Sequence, residues 1–120
     1  MRLFYGVPED IENWMSLVTR VRWNFPGLET QEKMDEHRAT VLRFMSKRQA
    51  ICVKEGNEIV GVMLFSRRHN MLCCLAVSPS FRRRGVASML MDEAFRNLDR
   101  TKEISHQCLQ RGLLPGLRPL

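Results

Sequence analysis

The chain has 120 residues, 44% apolar side chains and a formal net charge of +6, which predicts one domain with a core large enough to fold alone. No stretch approaches the ~18 apolar residues of a membrane-spanning helix, and early charges at Arg2, Glu9, Asp10 and Glu12 do not suit a signal peptide. Cys52, Cys73, Cys74 and Cys108 have neither C-x-x-C nor zinc-ligand spacing, so reduced thiols in a cytoplasmic protein without a metal site are expected.

Arg2 to Tyr5 alternates and ends at Gly6, which predicts an edge strand. Pro8, Glu9 and Asp10 then open a helix. Proline suits a first turn, and acidic side chains oppose the positive end of the helix dipole. Ile11, Trp14, Met15, Val18 and Val21, or Leu17, supply an apolar face at helical spacing, and Asn24–Gly27 breaks it. A second helix is predicted from about Thr30 to Met45, with Met34, His37, Val41, Leu42 and Met45 on one side. Its start is loosely placed, because Thr30 with Lys33 three positions on is not a capping box.

Gln49–Lys54 and Ile59–Ser66 read as two strands of a hairpin, joined by the polar residues Glu55, Gly56, Asn57 and Glu58. After Arg67–Asn70, the run Met71–Val77 is apolar on both faces, which predicts a central strand. Period-two alternation puts Cys73 and Cys74 on opposite faces of it. Arg84–Leu98 is amphipathic, with Val86, Met89, Leu90, Ala94 and Leu98 turned to the sheet.

Between that strand and helix lies a loop with Arg82, Arg83, Arg84 and Gly85. The first N–H groups of a helix lack intrahelical partners and carry partial positive charge. Gly85 and the small Ala87 permit close approach, and three guanidinium groups add charge and forked donors. This arrangement suits a phosphate or pyrophosphate.

The spacing is more specific. Val77-x-Pro79 followed by Arg82-x-x-Gly85-x-Ala87 resembles the acyl-coenzyme-A signature of the GNAT N-acetyltransferases. The resemblance implies an α/β (α+β) fold of order βααβββα, with a mixed, mainly antiparallel sheet flanked by helices, over residues 1–105. It implies transfer of an acetyl group from acetyl-CoA to a primary amine of a small molecule or protein, by direct attack. Main chain at Leu75, Ala76 and Val77 would run along the pantetheine arm, with Val77 N–H nearest the thioester carbonyl. The pyrophosphate would meet N–H groups from Arg83 through Gly85 and Val86 to Ala87, with Ser88 just beyond. Arg82 would brace the loop, and Arg83 or Arg84 would reach the phosphates.

For the general base the candidates are weak. Glu29, Glu32 and Glu36 lie on or beside the helix that borders the acceptor pocket in the family, as does the loop Phe25–Leu28. His37 and His69 titrate in the useful range. No cysteine nucleophile is expected, since the resemblance implies no covalent intermediate.

The C-terminus departs from the family. Glu103–Cys108 suits a fifth strand, but residues 106–120, with Gly112, Pro115, Gly116 and Pro119, read as an irregular tail. The family's last strands, and the tyrosine that serves many members as an acid, are missing; Tyr5 is the sole tyrosine and sits at the wrong end. A reading-frame slip near Ser105 and a natural short form both account for this tail. An exposed sheet edge would favour a homodimer, and a CoA-binding module impaired in catalysis is the alternative function. Nucleic acid is not expected beyond an electrostatic side effect: Lys47-Arg48, Arg67-Arg68 and Arg82–Arg84 occupy loops or element ends without interleaved aromatics.

Overall fold

The computed structural model describes residues 1–24 and 27–106. Strands β1 (Arg2–Tyr5), β2 (Ala50–Glu55), β3 (Glu58–Ser66) and β4 (Met71–Val77) pair antiparallel in chain order, and β5 (Ser105–His106) lies parallel to β4. Parallel neighbours need a crossover, and helix α3 (Val86–Arg96) supplies it. Helices α1 (Ile11–Val21) and α2 (Gln31–Ser46) connect β1 to β2. None of these helices is long and apolar enough to cross a membrane.

The sheet separates two cores. On one face α1 and α2 pack Trp14, Leu17, Val18 and Val41 against Ala50, Cys52, Val62, Leu64 and Ala76. On the other, α3 packs Val86, Leu90 and Ala94 against Ile51, Val53, Met63, Leu75 and Val77. Burying an apolar side chain in such a layer stabilises by roughly 1.5–3 kcal/mol. The predicted α1 face holds, with Leu17 fully buried and Met15 only partly.

Several expectations are corrected. The chain enters α1 through a 3-10 turn at Pro8–Asp10. Thr30 does cap α2, its hydroxyl accepting from Lys33 N–H at 3.1 Å. The hairpin loop has two residues, because Glu55 and Glu58 already pair across it. Gly56, at φ +60, supplies the left-handed first position of a type II′ turn. The central strand is β3, whereas β4 meets β5 only at Met71 and Leu72 among the described residues. Residue 106, placed in the tail by its sequence, ends β5; residues 107–120 lie outside the described residues, as do Phe25 and Pro26.

Cys73 and Cys74 do not straddle the sheet; both pack on the α1–α2 face. The β3–β4 register passes from Leu64↔Cys74 to Phe65↔Leu72, leaving Cys73 as the extra residue of a β-bulge. A bulge resets the alternation and bends its strand. Leu72 therefore faces α3 while Cys74 faces α1.

Candidate functional site

The site begins at Val77, where β4 ends. Ser78 donates its N–H to Val60 O at 2.8 Å, and Gly61 lies opposite Val77. Antiparallel ladders alternate bonded and non-bonded pairs, so the main-chain groups of Leu75 and Val77 turn to the edge of β4 away from β3. On that edge, among the described residues, β5 accompanies the Met71 end. The strand thus carries outward-turned main chain toward the loop that follows.

That loop makes a 3-10 turn at Pro79–Phe81 and extends at Arg82 (φ −68, ψ 150). Arg83 then takes φ +64 and Gly85 φ +81, ψ 8. Left-handed backbone costs a non-glycine residue about 1–2 kcal/mol, which Gly85 avoids and Arg83 does not. These two residues also explain why α3 starts at Val86 instead of Arg84. Gly85 is its N-cap, offers no side-chain cap, and its carbonyl accepts from Met89 N–H at 3.0 Å. Val86, Ala87 and Ser88 therefore present the first-turn donors, with no acidic side chain in that turn. Arg83 and Arg84 lie outside the helix.

Space and charge agree with this geometry. A side chain built on Gly85 would meet nothing within 4 Å. Arg84 stacks on Phe81 with its guanidinium carbon 5.1 Å from the ring centre. Arg83 is exposed, and Arg82 has a buried Nε without a hydrogen-bond partner. A buried donor left unpaired costs about 1–3 kcal/mol, a state that Arg82 Nε shares with Trp14 Nε1, Arg22 Nε, His37 Nε2 and His106 Nδ1 among the described residues. Arg82, Arg83, Arg84 and Gly85 fit the phosphate-bearing end of coenzyme A.

One contributor escaped the sequence reading. A Cβ on Gly61 would collide with Val86 Cγ1 and come within 3.2 Å of Leu90 Cδ1. Gly61 lets the first turn of α3 seat directly on β3, which fixes where those N–H groups point. A single glycine inside an apolar strand is the signal that could have revealed it.

The base candidates are dispersed. Arg20 near the end of α1 reaches Glu58 at the start of β3, 4.0 Å away, so the chain leaves α1 at the end of the sheet where β4 terminates. Glu29 and Glu32 follow, exposed, on the α1–α2 side. Backbone N–H groups, chiefly Gly27 at 3.0 Å, hold the Glu29 carboxyl below its ordinary pKa. Glu36 is also exposed on α2. His37 is largely buried, its Nε2 unpartnered, and desolvation lowers its pKa. His69 is not brought to the cradle: it is exposed in the turn before Met71, at the opposite end of β4. Seven residues at about 3.3 Å separate the two ends.

Tyr5 is also remote, three strands from β4. Its hydroxyl donates to Glu93 Oε2 at 2.5 Å and accepts from Asn97 Nδ2 at 3.1 Å. Burial, then the Glu93 bond, raises its pKa. Cys52 is deeper still, its thiol pushed up to about 12, mainly by burial.

Residues 9–108 match the sequence model of the acetyltransferase (GNAT) family. No curated protein sequence matches the chain significantly. Among solved structures, a GNAT-family acetyltransferase from Bacillus cereus is 23% identical, with a TM-score of 0.61, over 77% of this chain and 60% of that one. A GCN5-related N-acetyltransferase from Kribbella flavida is 22% identical, with a TM-score of 0.63, over 79% of this chain and 26% of that one. The PaiA N-acetyltransferase from Thermoplasma acidophilum, solved with coenzyme A, is 14% identical, with a TM-score of 0.60, over 79% of this chain and 69% of that one. The chain thus spans less than two thirds of each of the first two, and at these identities the likeness is one of fold.

Proposed function

The chain belongs to the acetyltransferase (GNAT) family, and on that premise we propose that it transfers an acetyl group from acetyl-CoA to a primary amine of a small molecule or protein. The observation that carries this reading is the end of β4: a glycine-capped helix start, open above Gly85, directly preceded in the chain by Arg82, Arg83 and Arg84. Pyrophosphate oxygens accept from the N–H groups of Val86, Ala87 and Ser88. Each charge–dipole contact contributes roughly 0.3–1 kcal/mol exposed and up to about 2 partly buried. Several, with one guanidinium, support micromolar affinity, about 8 kcal/mol.

The outward main chain of Leu75 and Val77, with Ala76 between, then lies along the pantetheine arm as an added strand would. The thioester carbonyl oxygen gains charge as the amine attacks, and a main-chain N–H on this edge is the type of donor that stabilises it. The amine must lose a proton to attack. Glu29, before α2, and Glu32, in its first turn, follow an α1 that ends at the cradle's end of the sheet and are the proposed bases, through water; His69 lies at the opposite end of β4.

Calorimetric titration with coenzyme A, followed by a thiol-release assay with acetyl-CoA and a panel of amines, tests the proposal. Micromolar binding and amine-dependent thiol release are expected. Binding without release for any amine leaves the second reading, a CoA-binding module. Absence of binding removes both.

A further inference from the structure

The sequence scatters basic residues among loops, and the fold gathers six of them at the end of the sheet opposite the cradle. Lys47 and Arg48 follow α2, Arg67 and Arg68 open the β3–β4 turn, and Arg96 and Arg100 end or follow α3. The Arg67 guanidinium donates to the main-chain oxygens of Lys47 (3.2 Å) and Arg48 (3.0 Å) and to Asn97 Oδ1 (2.8 Å). One side chain thereby ties the three segments into a continuous surface. All six cations are exposed. Among the described residues, only Arg96 of the six has a carboxylate partner, Glu93 at 2.8 Å.

Arg48 adds a second observation. It takes φ +56 directly after α2, a position that favours glycine, and its guanidinium carbon lies 4.6 Å from the centre of the Tyr5 ring. A cation is held there against its backbone preference.

We infer that this end docks the phosphate backbone of a nucleic acid without reading its sequence. The Arg67 fork is spent on main chain and Asn97, and Arg96 on Glu93, which leaves the Lys47 ammonium and the guanidinium groups of Arg48, Arg68 and Arg100, whose forks match phosphate oxygens. A protein partner would want an apolar anchor at the centre of its interface. The exposed large apolar side chains, Met1, Phe4, Val7 and Trp23, all lie outside these three segments. No exposed aromatic in them offers a base-stacking platform either. What remains is cation against phosphate, the sequence-independent part of nucleic-acid binding.

Fluorescence anisotropy with a short labelled DNA duplex tests the inference, with salt titrated and coenzyme A at saturation. Binding that weakens steeply with salt and survives coenzyme A is expected. The triple replacement Lys47→Glu, Arg68→Glu, Arg100→Glu should weaken it more than about tenfold and flatten the salt slope by about one per replaced cation. Its coenzyme A affinity and circular dichroism should stay unchanged. Arg68→Gln alone, in an exposed turn, should give a smaller loss of the same sign. The inference is overturned if the wild type shows no salt-dependent binding, or if these variants bind like it. Displacement by coenzyme A overturns it too, since the cradle would then be the site. An acidic peptide of matched charge binding as tightly as the duplex would assign the surface to protein.

Discussion

The two ends of β4 differ in how their polar groups are satisfied. At the Val77 end, Arg82 Nε has no partner, the first turn of α3 has no side-chain cap, and Arg83 sits in left-handed backbone. At the Met71 end, Asn70 is equally unusual at φ +48, yet its side chain is fully engaged, although His106 Nδ1 on the neighbouring β5 is buried without a partner. Asn70 Nδ2 donates to Asp99 O and Glu103 O at 2.9 and 3.0 Å, and its Oδ1 accepts from Asp99 N–H at 2.7 Å. Nearby, Arg67 caps the main chain after α2. Natural proteins pair nearly all buried polar groups, and strain without local compensation concentrates at functional sites. Asn70 and Arg67 thus tie up main chain at the Met71 end, whereas the left-handed Arg83 and the uncapped first turn of α3 have no such side-chain answer at the Val77 end.

The hardest way to break this contrast is Gly61→Val. Its Cβ would already collide with Val86, and the added methyls force α3 off β3. Overpacking of this kind costs about 3 kcal/mol. A lower thermal midpoint together with weaker coenzyme A binding, read by calorimetry, is expected; unchanged binding would show that the seating of α3 does not set the cradle. Gly85→Val is next. The site has room for the side chain, so the damage is conformational, from φ +81, and steric toward the ligand. At least a tenfold rise in the coenzyme A dissociation constant, about 1.4 kcal/mol, should come with a stability loss of about 1–2 kcal/mol from the left-handed backbone.

These two glycines also mark what a sequence yields. Gly85 is legible because a strand, an arginine triplet and an amphipathic run bracket it, and phosphate chemistry favours that order. Even so, the reason for glycine there is its left-handed backbone as much as its small size. Gly61 is not legible in the same way, because its partner Val86 is 25 positions along the chain and only the folded sheet brings them together. The helix faces were readable from spacing, but both bulges were not. One falls at Cys73, and the other shifts the β2–β3 register between Val53 and Lys54. A bulge adds one residue to one strand without altering composition, so period-two reasoning misplaced Cys73. Base candidates were equally opaque, since carboxylates and imidazoles on loops say nothing of which end of a strand they will reach.

The satisfied end can be probed with Tyr5→Phe. It removes the hydroxyl bridging Glu93 and Asn97, while Asn97 still donates to Glu93 O at 2.8 Å. A loss of about 1 kcal/mol in denaturant unfolding is expected, with coenzyme A affinity unchanged. A matching drop in affinity would mean that the two ends of α3 are coupled.

The smallest effect comes from Asp10, buried beside the chain's entry into α1. Its Oδ1 lies 2.9 Å from Lys54 Nζ, and its Oδ2 accepts from Val7 N–H at 3.0 Å. Burial alone would raise the carboxyl's pKa, but the Lys54 ammonium and the Val7 N–H outweigh it and hold it below the ordinary value. The folded state therefore takes up this proton less readily than the unfolded chain. Its contribution is whole above the unfolded value of about 3.9 and is lost as pH falls through the lower folded value. Lys54 runs the other way: the Asp10 bond raises it, so its share fades only as pH climbs past its ordinary value. Asp10→Asn should flatten the acid limb of the stability profile while leaving coenzyme A binding at neutral pH untouched. An acid limb as steep as the wild type's would place that pH dependence elsewhere, with His37 the next group to replace, since its depressed pKa makes stability decline as pH falls below about 6.5.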